Sequence, residues 1–232
     1  MHIRSIATAV FCLAAGNLSA VTLDDVRRSL AALRGDTPAT VKIDFHDRRT
    51  DKKEKTEEGG TSVVEDSGMQ LRIVHEKADL RRRSAKKGRP EESLSAQETF
   101  ELMNYAPVLL KALEGATLKR AVQSSYEGSP ATLFEIVPLR EKDEDGEKWV
   151  KEYSHTILLW TNGEGMPLGA EQTLKVKARI VLIGVEFSRQ AKMRFARQAD
   201  RLLVVKRTSQ ESTAGMGQNQ NSVKNVTLAI VR

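Results

Sequence analysis

The chain has 232 residues, 40% of them apolar and 29% charged, with 37 basic against 31 acidic side chains and a formal net charge of +6. This length suits one domain with a self-sufficient core, and the composition excludes collagen-like, low-complexity and wholly disordered classes. A modest basic excess on a densely charged surface is not a nucleic-acid footprint, and aromatic residues, the stacking platforms of single-strand binders, make up only 5%.

Met1 to Arg4 carries one positive side chain, an apolar run follows from Ile6 to Ala15, and Leu18-Ser19-Ala20 or Ala14-Ala15-Gly16 offers small residues for cleavage. This is the three-part plan of a secretory signal. Residues 1–20 are therefore expected to be a signal peptide, and 21–232 a single exported domain, soluble in the periplasm after cleavage. The run is too short for a membrane anchor, and no later stretch approaches a spanning length. Cys12 is the only cysteine and lies inside that run, preceded by Phe11 rather than by small residues, which argues against lipidation. The mature chain then has no disulfide and no cysteine metal site.

Thr22 to Asp25 reads as a capping box, and Leu23, Val26, Leu30 and Leu33 recur at helical spacing before Gly35. From Thr40 the period changes to two: Val41, Ile43 and Phe45 alternate with Lys42, Asp44 and His46. Further strands are predicted at Thr61–Val64, behind Gly59-Gly60, and at Met69–Glu76, with Met69, Leu71 and Ile73 on one face. The segment 77–90 is basic, with Arg81, Arg82, Arg83, Lys86, Lys87 and Arg89, and reads as a loop. Ser95 to Glu98 is a second capping box; Phe100 and Met103 begin an apolar face that Leu109, Leu110 and Leu113 continue, interrupted at Pro107. This segment is a kinked helix or two helices in sequence, and is expected to lie across the mouth of a barrel as a lid over a ligand.

Everything after Gly115 reads as strands: Thr117–Tyr126, a Glu127-Gly128 turn, Thr132–Leu139, an acidic turn, and Trp149–Thr161. Asn162 to Gly165 is a turn, and Leu174, Val176, Ala178 and Ile180 alternate with Lys175, Lys177 and Arg179. The apolar parity then shifts to Val181, Ile183, Val185 and Phe187, the trace of a bulge or a bend between strands. Met193/Phe195, Leu202–Val205 and Val226–Ile230 complete the series; polar Thr208–Ser222 reads as a long mobile loop. The pattern implies an α+β, mainly β fold: a strongly curved antiparallel sheet, or half-open barrel, with helices covering its concave face.

There is no nucleophile elbow, P-loop, dinucleotide fingerprint or His-Glu-x-x-His. His46, His75 and His155 fall in different predicted strands without a second ligand at metal spacing, and are most simply surface residues. Glu141, Asp143, Asp145, Gly146 and Glu152 imitate a calcium loop, but Lys148 stands where the pattern is apolar and the flanks read as strands; a solvated hairpin turn explains them better. No cofactor and no metal is expected. The basic cluster is either a solvated loop or a landing site for anionic headgroups or an acidic partner.

The order helix, three strands, helical segment and long strand series, with the run Leu159-Trp160-Thr161-Asn162-Gly163-Glu164-Gly165-Met166-Pro167-Leu168, resembles the periplasmic outer-membrane lipoprotein carriers of the LolA/LolB type and the related sensor domain of RseB-type regulators. The resemblance implies a half-open barrel that shelters acyl chains, hence a non-enzymatic envelope carrier or sensor of an acylated lipoprotein or lipid. Bulky residues on apolar faces are the candidate lining: Phe45, Leu71, Ile73, Phe134, Ile136, Leu158 and Trp160, with Leu110 from the lid. Arg81, Arg82, Arg83, Lys86 and Lys87 are the candidate contacts to a headgroup, an anionic membrane surface or an envelope partner. The competing classes are an envelope hydrolase and a structural or regulatory interaction module using the loop 77–90.

Overall fold

The structure, a computed structural model, describes residues 21–51, 54–68, 70–79, 94–140, 149–180, 183–215 and 218–231. In chain order these form α1 (Leu23–Ala31), β1 (Ala39–Asp51), β2 (Glu54–Asp66), β3 (Leu71–Asp79), α2 (Ala96–Met103), α3 (Ala106–Leu113), β4 (Thr117–Tyr126), β5 (Ser129–Val137), β6 (Val150–Thr161), β7 (Pro167–Ile180), β8 (Ile183–Gln198), β9 (Arg201–Gly215) and β10 (Gln218–Ile230). The fold is mainly β: among the described residues, one antiparallel sheet of ten strands and three short helices. The strand order is β3-β2-β1-β10-β9-β8-β7-β6-β5-β4, so two meanders meet where the first strand pairs with the last, and the sheet is open, with β3 and β4 at its edges.

Local chemistry sets most boundaries. Thr22 and Asp25 form the reciprocal capping box at the start of α1. Ser95 accepts the Glu98 backbone N–H at the start of α2. The helical segment is two helices; the break falls at Asn104-Tyr105, and Pro107 sits in the first turn of α3, where a missing N–H leaves no intrahelical bond unmade. Glu127 and Gly128 both have positive φ, 49° and 84°, as a two-residue hairpin between β4 and β5 requires.

Val41, Ile43, Val64, Phe134, Ile136, Ile157, Leu159, Met193, Phe195, Val226 and Leu228, all on one face of the sheet, are buried in one cluster with Val26 and Leu30 of α1, Leu102 and Met103 of α2, and Leu109 and Leu113 of α3. Each such side chain contributes about 1.5–3 kcal/mol by leaving water. Phe100 departs from the expected apolar face: it is exposed, and Thr99, Leu102 and Met103 take the inward positions of α2. The Tyr105 N–H bonds the Leu202 carbonyl at 2.8 Å and its ring stacks on Phe195 at 5.4 Å, so the α2–α3 junction is fastened to the sheet. At the same end of the sheet, Arg201 is 1% exposed and Asp66 3%, joined at 2.7 Å, with a second bond from Arg201 to the Thr37 carbonyl.

The strands run much further than hydrophobic alternation predicts. Thr208–Ser222 is not a loop: β9 continues to Gly215 and β10 starts at Gln218, paired in register from Gly215↔Gln218 onward. The ladder hydrogen bonds hold these arms although both faces are polar, and polar-on-both-faces strands carry no period-two hydrophobic signal. The parity shift after Ile180 falls between two strands, where β7 ends at Ile180 and β8 begins at Ile183.

A bulge between β8 and β9 redirects the second half of β9. Phe195 pairs with Val204 but Arg194 pairs with Lys206, so Val205 is an extra residue on β9 and the inward parity changes from Val204 to Arg207.

Candidate functional site

Strand register places side chains in rows across the sheet. One row on the helix-bearing face runs Phe134, Leu159, Ala170, Met193, Arg207, Val226, Phe45 from β5 to β1. Six of its members are apolar; Arg207 is the exception, delivered there by the Val205 bulge. The adjacent row runs Ile136, Ile157, Gln172, Ala191, Ser209, Lys224, Asp47, and changes from apolar to polar part-way across. The row beyond it holds Arg189, Glu211, Ser222 and Arg49.

These polar positions on β1, β2, β8, β9 and β10, with Glu98 of α2, enclose a cavity of about 590 Å³. The volume lies within the range of small-molecule sites. Its charges are largely arranged in pairs. Lys224 Nζ donates to both carboxylate oxygens of Glu98, at 2.9 and 3.0 Å, tying β10 to α2. Arg189 meets Glu211 at 3.0 Å, and Arg49 meets the Asp47 Oδ2 at 2.8 Å. Burial pushes the Glu98 carboxyl up, but the hydrogen bond and charge of Lys224 outweigh it and hold it below its ordinary value. Asp51 and Glu54 also line the cavity, without an ion pair among the described residues, and two further groups stand outside the pairing. The Oδ1 of Asp47 is buried without a hydrogen-bond partner among the described residues. Arg207 is half-buried at the cavity's inner end, where its charge is felt at Glu98 and Tyr105.

The predicted lining residues separate into groups. Phe134 and Ile136 are fully buried in the core, with Phe45, Leu71 and Leu110 half-buried against it. Leu158 and Trp160 occupy the alternate positions of β6, opposite Glu135 and Leu133, and so face the other side of the sheet from Phe134 and Ile136. There the Trp160 ring lies 5.6 Å from Tyr126, whose phenol crosses Gly169 so closely that a Cβ would collide with it. Ile73, on edge strand β3, is 45% exposed. The run 159–168 acts locally, at a turn. Asn162 closes the β6–β7 connection by accepting the Glu164 and Met166 N–H groups, and that turn receives α1 through Ser29 Oγ on the Glu164 carbonyl at 2.8 Å.

Residues 1–20 with Cys12, the cluster Arg81, Arg82, Arg83, Lys86 and Lys87, and the acidic residues 141–148 lie outside the described residues. Glu152, last of the calcium-like series, is paired with Lys177 at 2.8 Å. His46 bonds Glu57 at 2.7 Å beside a second hollow of about 350 Å³ over β1 and β2. His155 is half-buried, and burial holds its imidazole below the ordinary value. Among the described residues, no group of three His, Cys, Asp or Glu side chains is placed to hold a metal ion, and no helix is long and apolar enough to cross a membrane.

Sequence reasoning misses the polar cavity. Glu98 is legible only as a capping residue, Glu211 and Ser222 fall in a segment that reads as a loop, and placing Arg207 needs knowledge of the bulge. No protein-family model matches the chain, and no curated protein matches it.

Proposed function

We propose that the protein is an exported, non-enzymatic carrier or sensor that holds an amphipathic, acyl-bearing ligand between its helices and one face of its sheet. In this reading the sheet curves as a half-open barrel and the helices cover its concave side. The observation that carries the reading is the continuity of two unlike regions on one face: an apolar row under α2 and α3 runs directly into an open, charged cavity. An amphiphile has the same division. Its chain would replace helix contacts beneath α2–α3, gaining about 0.8 kcal/mol per buried methylene, and its polar end would remain in the cavity. The core under the helices is already filled, so loading requires the α2–α3 pair to lift. The fastenings that must yield are the Tyr105–Leu202 backbone bond and the Lys224–Glu98 pair.

Organic extraction of the purified protein followed by mass spectrometry tests this reading. Co-purified lipid, or saturable binding of a fluorescent acyl probe with loss of amide protection in residues 96–113, is expected. A clean extract together with no probe binding overturns it and favours an interaction module.

A further inference from the structure

The row that contains Arg207 is otherwise apolar from β5 to β1. A guanidinium cannot be deprotonated, so it seeks an anion; Glu98, the carboxylate at which the charge of Arg207 is felt, is already bonded through both oxygens by Lys224. The Arg207 side chain makes no hydrogen bond or ion pair with any described residue. Its neighbours in the cavity are engaged with one another: Lys224 with Glu98, and Arg189 with Glu211. The β9 bulge at Val205 aims Arg207 inward, and bulges are frequent where a strand must redirect a functional side chain. A second, independent group points the same way. The Asp47 side chain is 9% exposed, one oxygen is bound by Arg49, and the other, Oδ1, lacks a donor among the described residues. Asp47 lies on β1 and Arg207 on β9, with β10 between them and two residues of offset along the strands, so their backbones are about 12 Å apart and both reach the same cavity.

Building on the proposed ligand-holding function, we propose that this cavity is a headgroup subsite: Arg207 binds the phosphate of the amphiphile, and Asp47 Oδ1 accepts a hydrogen bond from an ammonium or hydroxyl on the same headgroup. Guanidinium and phosphate match as a two-pronged, charge-assisted pair, and the wet, charged walls suit a headgroup rather than a hydrocarbon chain. The shared chemistry, a phosphate with a neighbouring donor, belongs to a phospholipid headgroup and also to a free phosphate ester.

The test is calorimetric binding of four probes to the full mature chain, with lipids kept below micelle formation: 1-lauroyl lysophosphatidylethanolamine, 1-lauroyl lysophosphatidic acid, uncharged 1-lauroylglycerol, and phosphoethanolamine without a chain. The wild type is expected to bind the phosphate-bearing lipids at least about tenfold more tightly than the neutral one. Arg207→Gln should erase that preference, with a far-ultraviolet circular dichroism spectrum and urea midpoint like those of the wild type showing that the variant is folded; Arg207→Lys should restore part of it. Asp47→Asn should lower affinity for the ethanolamine lipid about threefold relative to 1-lauroyl lysophosphatidic acid. Equal affinity of wild type and Arg207→Gln for the phosphate lipids overturns the subsite and leaves the carrier reading standing. Failure of all three lipids to bind the wild type overturns the carrier reading. In that case, Arg207-dependent binding of phosphoethanolamine identifies the site as one for free phosphate esters, and its absence overturns the subsite as well.

Discussion

Two regions of one sheet face differ sharply although the same strands build both. In one region Phe134, Ile136, Ile157 and Leu159 are completely buried, in one cluster with apolar side chains from all three helices. On the arms of β9, β10 and β1, beyond α2, the same face carries Arg189, Ser209, Glu211, Ser222 and Arg49 around open space. The first region is held by burial and the second by the backbone ladder plus cross-strand pairs. The contrast teaches that the long polar arms are not needed to make the core. Their regular register, maintained to the Gly215↔Gln218 pair, serves to build the walls of the cavity.

That division can be tested by stability. Phe134→Ala should cost about 3–5 kcal/mol in urea unfolding, as large-to-small changes do in a filled core. Thr213→Ala, on the same face of the polar arms, should stay within about 0.5 kcal/mol. Comparable losses at the two positions would end the distinction. Asp66→Ala should also cost about 3–5 kcal/mol, because it strands the buried Arg201 guanidinium. The double change Asp66→Leu with Arg201→Met should recover most of that loss, since a buried ion pair is often no better than an apolar pair of similar volume. Failure of the double variant to recover would show that Arg201 is needed for more than its charge partner, its bond to the Thr37 carbonyl being the first suspect.

The apolar region is legible in the sequence and the polar one almost invisible, for a physical reason. Val41, Ile43 and Phe45 alternate because one side of β1 is wet, and Thr22 with Asp25 marks a helix start because N–H groups there need acceptors. From Arg207 to Gly215 and from Gln218 to Gln220 both faces carry almost only polar side chains, so alternation vanishes while the strands persist. Leu158 and Trp160 look equivalent to Ile157 and Leu159 in the sequence, as an unbroken apolar run hides parity; only the pairing of Leu159 with Phe134 reveals which pair joins the core. Arg207 cannot be placed from sequence, because the Val205 bulge inverts the parity that the preceding residues suggest.

Smaller effects should arise where the helices meet the sheet. Gly165 has φ +78°, and a Cβ there would lie 3.0 Å from the backbone of Asp25 in α1. Gly165→Ala should therefore cost about 1–2 kcal/mol through its left-handed backbone alone, with extra loss of amide protection in α1. A loss of stability with α1 protection unchanged would mean that the turn does not position that helix.

The smallest effect is expected at the border between the two regions, where Lys224 of β10 holds Glu98 of α2. The pair is partly exposed, so solvent screening limits it to about 0.5–1 kcal/mol in a double-mutant cycle of Glu98→Gln and Lys224→Met. Its pH dependence has a definite sign. The folded carboxyl titrates below its ordinary value of 4.5, so the folded state binds fewer protons there than the unfolded chain. The contribution is complete above pH 4.5 and is lost as pH falls through the lower folded value. The stability difference between wild type and Glu98→Gln should shrink across that acidic window and be constant from about pH 6 to 8. Because the pair fastens α2 without filling the core, Glu98→Gln should raise amide exchange in residues 96–103 more than in β5 and β6. Uniform acceleration across the sheet would mean that α2 opens only with the whole domain, and the lifting of α2–α3 as a separate unit would have to be abandoned.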